Sequence, residues 1–286
     1  MAKRLYTYSA ATNSGLARDN NEDTYLSEPD HGLWLVADGM GGHEAGEVAS
    51  AIVRDSFRER AGAIGSNQLE ARIHAAHRAI LTAVDAGEGA PGMGSTLVLL
   101  TSTRTDYRVF WVGDSRAYLW SRGEDGGQLE RLTHDHSHVQ KLVDSGAIDS
   151  DEAQHHPQKN IITQCLGFAL QPIDVDQVAG EWRENQWILL CSDGLTDELD
   201  DREMAEILCA SRSPKAAVDK LMGAALAKGG RDNITLQIVQ SPRYRRSLAS
   251  SLWQWLPPIT GQRYLDLGLS ALALLCLGLA LYWIGS

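Results

Sequence analysis

Residues 33–43 read LWLVADGMGGH, and this stretch decides how the rest of the chain is interpreted. The apolar run before Asp38 predicts a buried strand, and Gly39, Gly41 and Gly42 allow a sharp turn and a close approach of the backbone to a ligand. Divalent cations such as magnesium and manganese bind through oxygen. A carboxylate at a rigid strand end, beside a glycine carbonyl, therefore suits such an ion.

Two later segments have the same design. Residues 187–197 read WILLCSDGLTD, so that Asp193 follows a second strand-like run, and Asp232 stands with Asn233 just before the strand-like residues 234–239. Each Asp-Gly pair alone is explained as a turn, because Asp and Gly are favoured in turns for backbone reasons. Because the pattern recurs, we predict that the three acids form one cluster.

Hydrophobic periodicity in the remaining chain predicts an α+β layered domain. Amphipathic helices are expected at residues 45–60 and 67–86, and a second helical pair near 201–209 and 214–228. Strands are predicted from β-branched and aromatic content at 4–12, 24–27, 96–101, 107–112, 117–120, 173–182, 187–191 and 234–239. Strands interrupted by two helical pairs are typical of an α+β architecture.

Two polar segments can be interpreted in more than one way. Residues 113–116, GDSR, separate two strand-like runs and predict a tight hairpin turn, whose Asp114 either is a turn acid or reaches the acidic cluster. Residues 18–23, RDNNED, form either a solvated loop or a charge cluster in which an arginine accompanies two acids. The sequence alone leaves both choices open.

Residues 132–167 are polar and contain five of the nine histidines. No zinc-type cysteine motif accompanies them, so the composition favours a mobile polar flap over a zinc site. The four cysteines, at 165, 191, 209 and 276, have no Cys-x-x-Cys spacing. Disulfides are therefore not expected, and the thiols fit a reducing compartment.

The C-terminal residues differ from the rest. Residues 267–284, LGLSALALLCLGLALYWI, carry no charge and would span about 27 Å as a helix, close to the hydrocarbon thickness of a bilayer. Aromatic residues flank this run on both sides, as expected at the headgroup regions. We therefore predict a transmembrane anchor at 265–286, joined by a proline-containing juxtamembrane linker at 241–264. A buried C-terminal helix is the alternative.

Charge predicts the orientation and argues against one class of partner. The four arginines after residue 240 all precede the apolar run, so the positive-inside rule places the large N-terminal part in the cytoplasm. Those arginines and one aspartate give residues 241–286 a formal charge of +3, and because the whole chain carries −11, the first 240 residues carry −14. A body this acidic argues against nucleic-acid binding.

Seven short motifs occur in order along the chain: Arg18 with Asn21-Glu22-Asp23, Asp38-Gly39-Met40-Gly41-Gly42, Gly94-Ser95-Thr96, Gly113-Asp114-Ser115-Arg116, Leu132-Thr133-His134-Asp135-His136-Ser137, Ser192-Asp193-Gly194 and Arg231-Asp232-Asn233. This set resembles the metal-dependent Ser/Thr protein phosphatases of type 2C, the PPM family, in particular its bacterial members, over about residues 5–240. The resemblance implies a phosphatase domain at 1–240 that forms a four-layer αββα sandwich, with two antiparallel β-sheets flanked by helix pairs and a flap at about 133–167.

The resemblance also implies two ions, Mn²⁺ or Mg²⁺, at one end of the sandwich. According to this resemblance, Asp38 bridges both ions, the Gly39 carbonyl is a ligand of the first ion, and Asp193 and Asp232 are ligands of the second. These three acids are the implied catalytic residues.

Further roles come from the same resemblance. Glu22 and Asp23 would act on the first ion mainly through water, and Asp114 would join Asp193 at a weaker third site. Arg18 matches the arginine that grips the substrate phosphate. Met40 stands where eukaryotic members have a histidine proposed as general acid, so the proton donor stays open, with His43 nearby in sequence only.

The implied function is hydrolysis of phosphoserine and phosphothreonine in proteins, opposing a bacterial Ser/Thr kinase at the inner (cytoplasmic) membrane. Two divalent ions about 3.5–4 Å apart can share a water and lower its pKa, so no protein nucleophile is needed. Crowded carboxylates repel one another without cations, and the acids therefore predict metal dependence. An inactive phosphoprotein-binding scaffold at the membrane is the alternative. Another two-metal hydrolase, such as a phosphodiesterase or nuclease, is disfavoured by the acidic body.

Overall fold

The computed structural model describes residues 5–42, 45–58, 66–123, 126–154, 156–168 and 173–243. Eleven strands occur in these ranges: β1 Tyr8–Asn13, β2 Asp23–Glu28, β3 Leu33–Met40, β4 Gly94–Ser95, β5 Leu97–Ser102, β6 Asp106–Val112, β7 Arg116–Gly123, β8 Gly126–Arg131, β9 Asp176–Glu181, β10 Gln186–Cys191 and β11 Ile234–Gln240. Seven helices accompany them: α1 Ala45–Arg58, α2 Ser66–Ala86, α3 His138–Asp144, α4 Ser150–Gln154, α5 Asp193–Thr196, α6 Asp201–Cys209 and α7 Pro214–Lys228. The predicted α+β class is confirmed.

The strands form two antiparallel sheets. The first sheet has the order β1-β11-β10-β7-β8. The second has the order β2-β3-β5-β6-β9, with the short β4 paired to β3. Helices α1 and α2 follow β3, and helices α5 to α7 lie between β10 and β11, so each sheet receives its own group of helices.

Side chains alternate between the two faces of the central strands. In β3, Leu33 and Leu35 enter the core shared with α1 and α2, whereas Trp34 and Val36 enter the core between the sheets. In the first sheet, alternate residues of β10 and β11 pack against α6 and α7. Both faces of these strands are buried, which is why they read as continuous apolar runs. The layers therefore run helix pair, sheet, sheet, helix pair.

The predicted hairpin turn at residues 113–116 is wrong. Val112 at the end of β6 pairs with Leu97 in the second sheet, whereas Arg116 at the start of β7 pairs with Cys191 in the first. The segment therefore carries the chain from one sheet to the other. A strand buried on both faces shows no alternation that would reveal its partner, so turn residues alone could not distinguish a hairpin from a crossing.

Other predicted boundaries shift by a few residues. Strand β1 begins at Tyr8 instead of residue 4, and β9 covers 176–181 instead of 173–182. The helices at 201–209 and 214–228 are confirmed. Helix α6 begins with a capping box. The Asp200 side chain accepts a hydrogen bond from the backbone N–H of Glu203, and the Glu203 side chain accepts a hydrogen bond from the backbone N–H of Asp200.

The predicted anchor and most of the predicted linker lie outside the described residues. Within the described ranges, the structure contains no helix with the length and apolar character that crossing a membrane requires. Two contacts continue past the expected domain end at residue 240. The backbone N–H of Ser241 donates to the Gln186 carbonyl at 2.9 Å, and Arg243 Nη1 donates to the Trp182 carbonyl at 3.1 Å.

Gln237 joins the two sheets across the core between them. This fully buried residue lies on β11 of the first sheet, and its Nε2 donates to the carbonyls of Leu26 and Leu35 in the second sheet, at 3.2 and 2.6 Å. Its Oε1 accepts a hydrogen bond from Ser27 Oγ. One side chain therefore satisfies polar groups of two strands of the opposite sheet.

We predict that Gln237→Leu lowers the free energy of unfolding by about 2–3 kcal/mol, because it removes these hydrogen bonds and leaves buried acceptors unpaired. Gln128→Leu, at an exposed position of edge strand β8, is the matched control and should change stability by about 0.5 kcal/mol or less. Urea denaturation followed by circular dichroism measures both. Equal effects at the two positions would contradict the linking role of Gln237.

Candidate metal centre

The predicted acids meet at one end of the sandwich. Asp23 at the start of β2 is the register partner of Asp38 near the end of β3. Asp193 follows β10 and begins α5, and Asp232 stands two residues before β11. A cleft of about 570 Å³ opens here, with a lining that includes Arg18, Glu22, Asp38, Gly39, Asp193 and Asp232. An adjoining cleft of about 750 Å³ is lined by Asp114 and again by Asp193.

Backbone contacts hold Asp38 in place. Its N–H donates to Thr96 Oγ1 at 3.0 Å, and the Thr96 N–H donates to the Asp38 carbonyl at 2.8 Å. Thr96 Oγ1 also shares a hydrogen bond of 2.7 Å with Ser115 Oγ, next to Asp114. The acid of β3 and the acid of the sheet-crossing segment are therefore linked through two buried hydroxyl groups.

Gly39 allows three segments to approach one another. A Cβ at this position would lie 2.0 Å from the Gly46 carbonyl oxygen and 2.7 Å from that of Glu22, so any side chain would clash with backbone atoms. The same crowding occurs at Gly194, where a Cβ would lie 2.0 Å from the Asn233 carbonyl oxygen. The glycines after both aspartates therefore serve close packing, and the turn that the sequence predicts at Gly39 is not found, because Gly39 lies within β3.

Asn233 fixes the loop that carries Arg18 and Glu22. Its Nδ2 donates to the carbonyls of Ser14 and Asn20, at 3.0 and 2.8 Å, and its Oδ1 accepts from the Glu22 N–H at 2.7 Å. Asn233 belongs to the Arg231-Asp232-Asn233 motif, but the sequence indicated no structural role for it. A polar residue next to a strand start was the available signal, but its three partners lie more than 200 residues away.

Ser192 orients Asp23. The Ser192 Oγ accepts from the Thr235 N–H at 3.0 Å, which leaves its own hydrogen free to be donated to Asp23 Oδ2 at 2.7 Å. The other carboxylate oxygen, Asp23 Oδ1, is buried and has no hydrogen-bond partner among the described residues. Asp114 Oδ1 is buried and unpartnered in the same way. Buried carboxylate oxygens without donors are the ligands that a hard cation requires.

Burial is the main cause of perturbed acidity in this cluster. It raises the pKa of Asp23 to about 7 and that of Asp193 to about 6, with neighbouring carboxylates adding to both shifts. Burial and then the charges of nearby aspartates raise the pKa of Asp38 and that of Asp114 well above the ordinary range. In the absence of a cation these acids hold protons that they would not hold in water.

No three His, Cys, Asp or Glu side chains in the part of the chain that the structure describes form a closed ligand set as they stand. The charge of Asp193 is one of the causes that raise the pKa of Asp38, so repulsion between carboxylates adds to the effect of burial. A divalent cation would relieve this repulsion, so these residues fit such an ion.

Arg18 lines the cleft, and its side chain already has a partner. Its Nη2 donates to Asp232 Oδ2 at 2.8 Å, and more than half of the arginine side chain is exposed. The hydrogen bond to Asp232 is the main reason why the pKa of Arg18 is raised. The arginine is therefore held beside the acids, with donor groups left over for a ligand.

The flap segment lines both clefts. Asn160 contributes to each of them, and Lys159 forms an ion pair of 2.8 Å with Asp197 after α5. Two of the flap histidines have carboxylate partners, His134 with Asp144 and His136 with Asp176, and no zinc-type group occurs among the described flap residues. His43 lies outside the described residues, and Met40 lines the smaller cleft.

Comparison with known proteins gives a consistent result. The family model for protein phosphatase 2C matches residues 16–228. The serine/threonine phosphatase Stp of Listeria welshimeri is 33% identical over 240 residues, which cover 80% of this chain and 93% of the relative. The serine/threonine protein phosphatase PstP of Mycobacterium tuberculosis is 36% identical over 242 residues, which cover 83% of this chain and 45% of that relative.

Solved structures show the same likeness. The crystal structure of the Mycobacterium tuberculosis phosphatase PstP/Ppp matches with a TM-score of 0.75 and 34% identity, over 82% of this chain and 98% of the other. The catalytic domain of PstP in complex with two manganese ions matches with a TM-score of 0.72 and 33% identity, over 82% of this chain and 97% of the other.

The raised pKa values predict how the metal-free protein responds to pH. An aspartate whose pKa is about 3.9 when unfolded and about 6 or 7 when folded binds its proton more tightly in the folded state. Stability should therefore fall as pH rises from about 4 to about 7. Thermal unfolding in EDTA at several pH values measures this fall, and added Mn²⁺ should reverse it at pH 7.

Asp38→Asn is the matched variant for this prediction. An amide has nearly the shape of the carboxyl group, but it carries no charge and can donate hydrogen bonds to neighbouring carboxylates. In EDTA near pH 7.5 the variant should therefore melt at a higher temperature than the unsubstituted protein. A lower melting temperature would mean that repulsion among these carboxylates does not control stability at this end of the fold.

Proposed function

Because this chain belongs to the protein phosphatase 2C family, we propose that it hydrolyses phosphoserine and phosphothreonine esters in proteins with the help of divalent metal ions. The observation that carries this proposal is the convergence of Asp38, Asp193, Asp232 and Arg18 at one cleft, with the buried Asp23 paired in register to Asp38 behind it. Residues that meet in this way from distant parts of the chain are typical of a catalytic site.

The proposed ligand set follows the positions of the acids. Asp38 and the Gly39 carbonyl would serve the first of two ions, Mn²⁺ or Mg²⁺, and Asp38, Asp193 and Asp232 the second. Asp114 would hold a weaker third ion together with Asp193. When bound, the pair of ions supplies an activated water for attack on phosphorus.

The remaining residues position the ligands and the substrate. Ser192 turns Asp23 so that its unpartnered oxygen is available, and Thr96 holds the backbone of Asp38. Glu22 would act through water. Arg18 would bind the phosphate with the donors that its contact with Asp232 leaves free, because a guanidinium can reach two phosphate oxygens at once.

We predict that Asp38→Asn and Asp193→Asn each lower kcat/KM by more than about 100-fold, because even residues that only support a metal ligand change activity by 10–100-fold. Hydrolysis of p-nitrophenyl phosphate and of a phosphothreonine peptide with Mn²⁺ measures the loss. Asp219→Asn, an exposed acid on α7 paired with Lys215, is the control and should retain full activity.

The same assay separates the two candidate functions. A phosphoprotein-binding scaffold would show no turnover in the unsubstituted protein, whereas a phosphatase loses its turnover only in the two aspartate variants. Full activity in Asp38→Asn would contradict the proposed metal site.

We also propose that the chain is anchored at its C-terminus in the inner (cytoplasmic) membrane, with the catalytic domain in the cytoplasm. The uncharged run at 267–284 and the four arginines before it support this orientation. A Ser/Thr kinase that installs the same phosphates is the proposed counterpart of the enzyme.

A chain that ends at Tyr244 keeps the hydrogen bonds of Ser241 and Arg243 and should be a soluble, active enzyme. The full chain should sediment with membranes, and Leu274→Arg combined with Leu275→Arg should weaken that association, because charges at the centre of a membrane span are costly. Cell fractionation with activity assays measures both. A soluble full chain, or a truncated chain that still sediments, would contradict the anchor.

A further inference from the structure

The lining of the smaller cleft combines two kinds of residue. Arg18, Asp19 and Glu22 are among its ionic residues. Met40, Ile162 and Phe168 supply apolar side chains to the same lining. Phosphate hydrolysis uses the ionic residues, and it gives the apolar residues no role.

Phe168 is unusually exposed for an aromatic residue. Its exposed fraction is 45%, and it is one of four large apolar residues that are exposed in the described ranges, the others being Leu5, Leu16 and Ile161. Ile161 adjoins Ile162 of the cleft lining, and Leu16 lies two residues before Arg18. Three of the four exposed apolar side chains therefore occur in or beside segments that line this cleft, a distribution that marks a contact surface.

The backbone just before Phe168 is firmly held. Leu166 and Ser95 exchange two backbone hydrogen bonds of 2.8 and 2.9 Å, and the Gly167 N–H donates to His77 Nδ1 on α2 at 3.0 Å. Gly167 has a φ of +86°, and a Cβ there would lie 2.4 Å from Ile80 Cγ2. Phe168 is thus an exposed ring mounted on a fixed backbone, which lowers the entropy cost of binding a partner to it.

A peptide substrate brings the neighbours of its phosphorylated residue close to this lining. Successive residues of an extended chain are about 3.3–3.6 Å apart, so these neighbours lie near the walls of the cleft when the phosphate reaches the acids. We propose that Phe168 is a specificity-determining residue, which contacts the side chain next to the phosphorylated Ser or Thr and favours an apolar one. This inference rests on the proposed phosphatase function.

The acidic residues of the lining add a complementary preference. Asp19, Glu22 and Asp232 line the cleft, so acidic residues next to the phosphorylated residue meet like charge. The substrate segment that fits therefore has apolar and no acidic neighbours of the phosphorylated residue.

The test uses two phosphothreonine peptides that differ only in the residues on both sides of the phosphothreonine, Leu in one and Asn in the other. The unsubstituted chain with Mn²⁺ should show a kcat/KM about five- to tenfold higher for the Leu peptide, because part of the exposed ring is removed from water. Phe168→Ala should reduce this ratio to about one, and Phe168→Leu should keep part of it.

Two controls isolate the effect. Leu5→Ala removes another exposed apolar side chain and should leave the peptide ratio unchanged. In Phe168→Ala, the kcat/KM for the Leu peptide should fall several-fold, whereas the kcat/KM for the Asn peptide should fall less. A ratio near one in the unsubstituted chain, or an unchanged ratio in Phe168→Ala, would overturn the inference. Absence of turnover on every substrate would instead overturn the proposed function.

Discussion

Repulsion among buried carboxylates is the constraint on which this end of the molecule depends. Asp23, Asp38, Asp114 and Asp193 are all buried enough for burial to be the main cause of their raised pKa values. A fold that holds such groups together gives up stability there, unless cations or protons neutralise them. The two sheets supply the rigidity that this arrangement needs, because each acid stands within two residues of a strand end.

The polar contacts behind the acids transmit that rigidity. Ser192 fixes one oxygen of Asp23, and Thr96 and Ser115 connect Asp38 with the segment that carries Asp114. Asn233 holds the loop that carries Arg18 by hydrogen bonds to the backbone carbonyls of Ser14 and Asn20. Small hydroxyl and amide side chains, each with most of its hydrogen-bonding capacity used, thus position larger charged groups, as supporting residues do around metal sites in general.

The sequence was sufficient for the acids but not for their supports. A strand running into Asp-Gly is a local pattern, so Asp38 and Asp193 could be predicted from residues a few positions apart. Ser192 and Asn233 act through partners about 170 and more than 200 residues away, and no local pattern reports such contacts. The prediction of a hairpin at residues 113–116 was wrong for a related reason. The turn residues are a local signal, whereas the sheet that the next strand joins depends on which strands pack around it.

The exposure of individual apolar side chains could not be predicted from hydrophobic periodicity either. Phe168 directly follows the polar segment that the sequence identifies as a flap, and nothing in the neighbouring residues distinguishes a ring exposed to solvent from one that fills a core. The helices were predicted well because their apolar faces repeat every three or four residues. Residues of a functional surface follow no such repeat, so only the folded structure reveals which of them lie together.

Strand β11 connects the cleft with the opposite end of the first sheet. It begins next to Asp232 at the cleft and ends at Gln240, after which Arg243 contacts Trp182. Seven residues of strand span roughly 23 Å, so the cleft end of this strand and its far end are separated by most of the width of the sheet. The strand that leads out of the cleft is thus also fastened at its far end, where the Ser241 N–H donates to the Gln186 carbonyl at the start of β10.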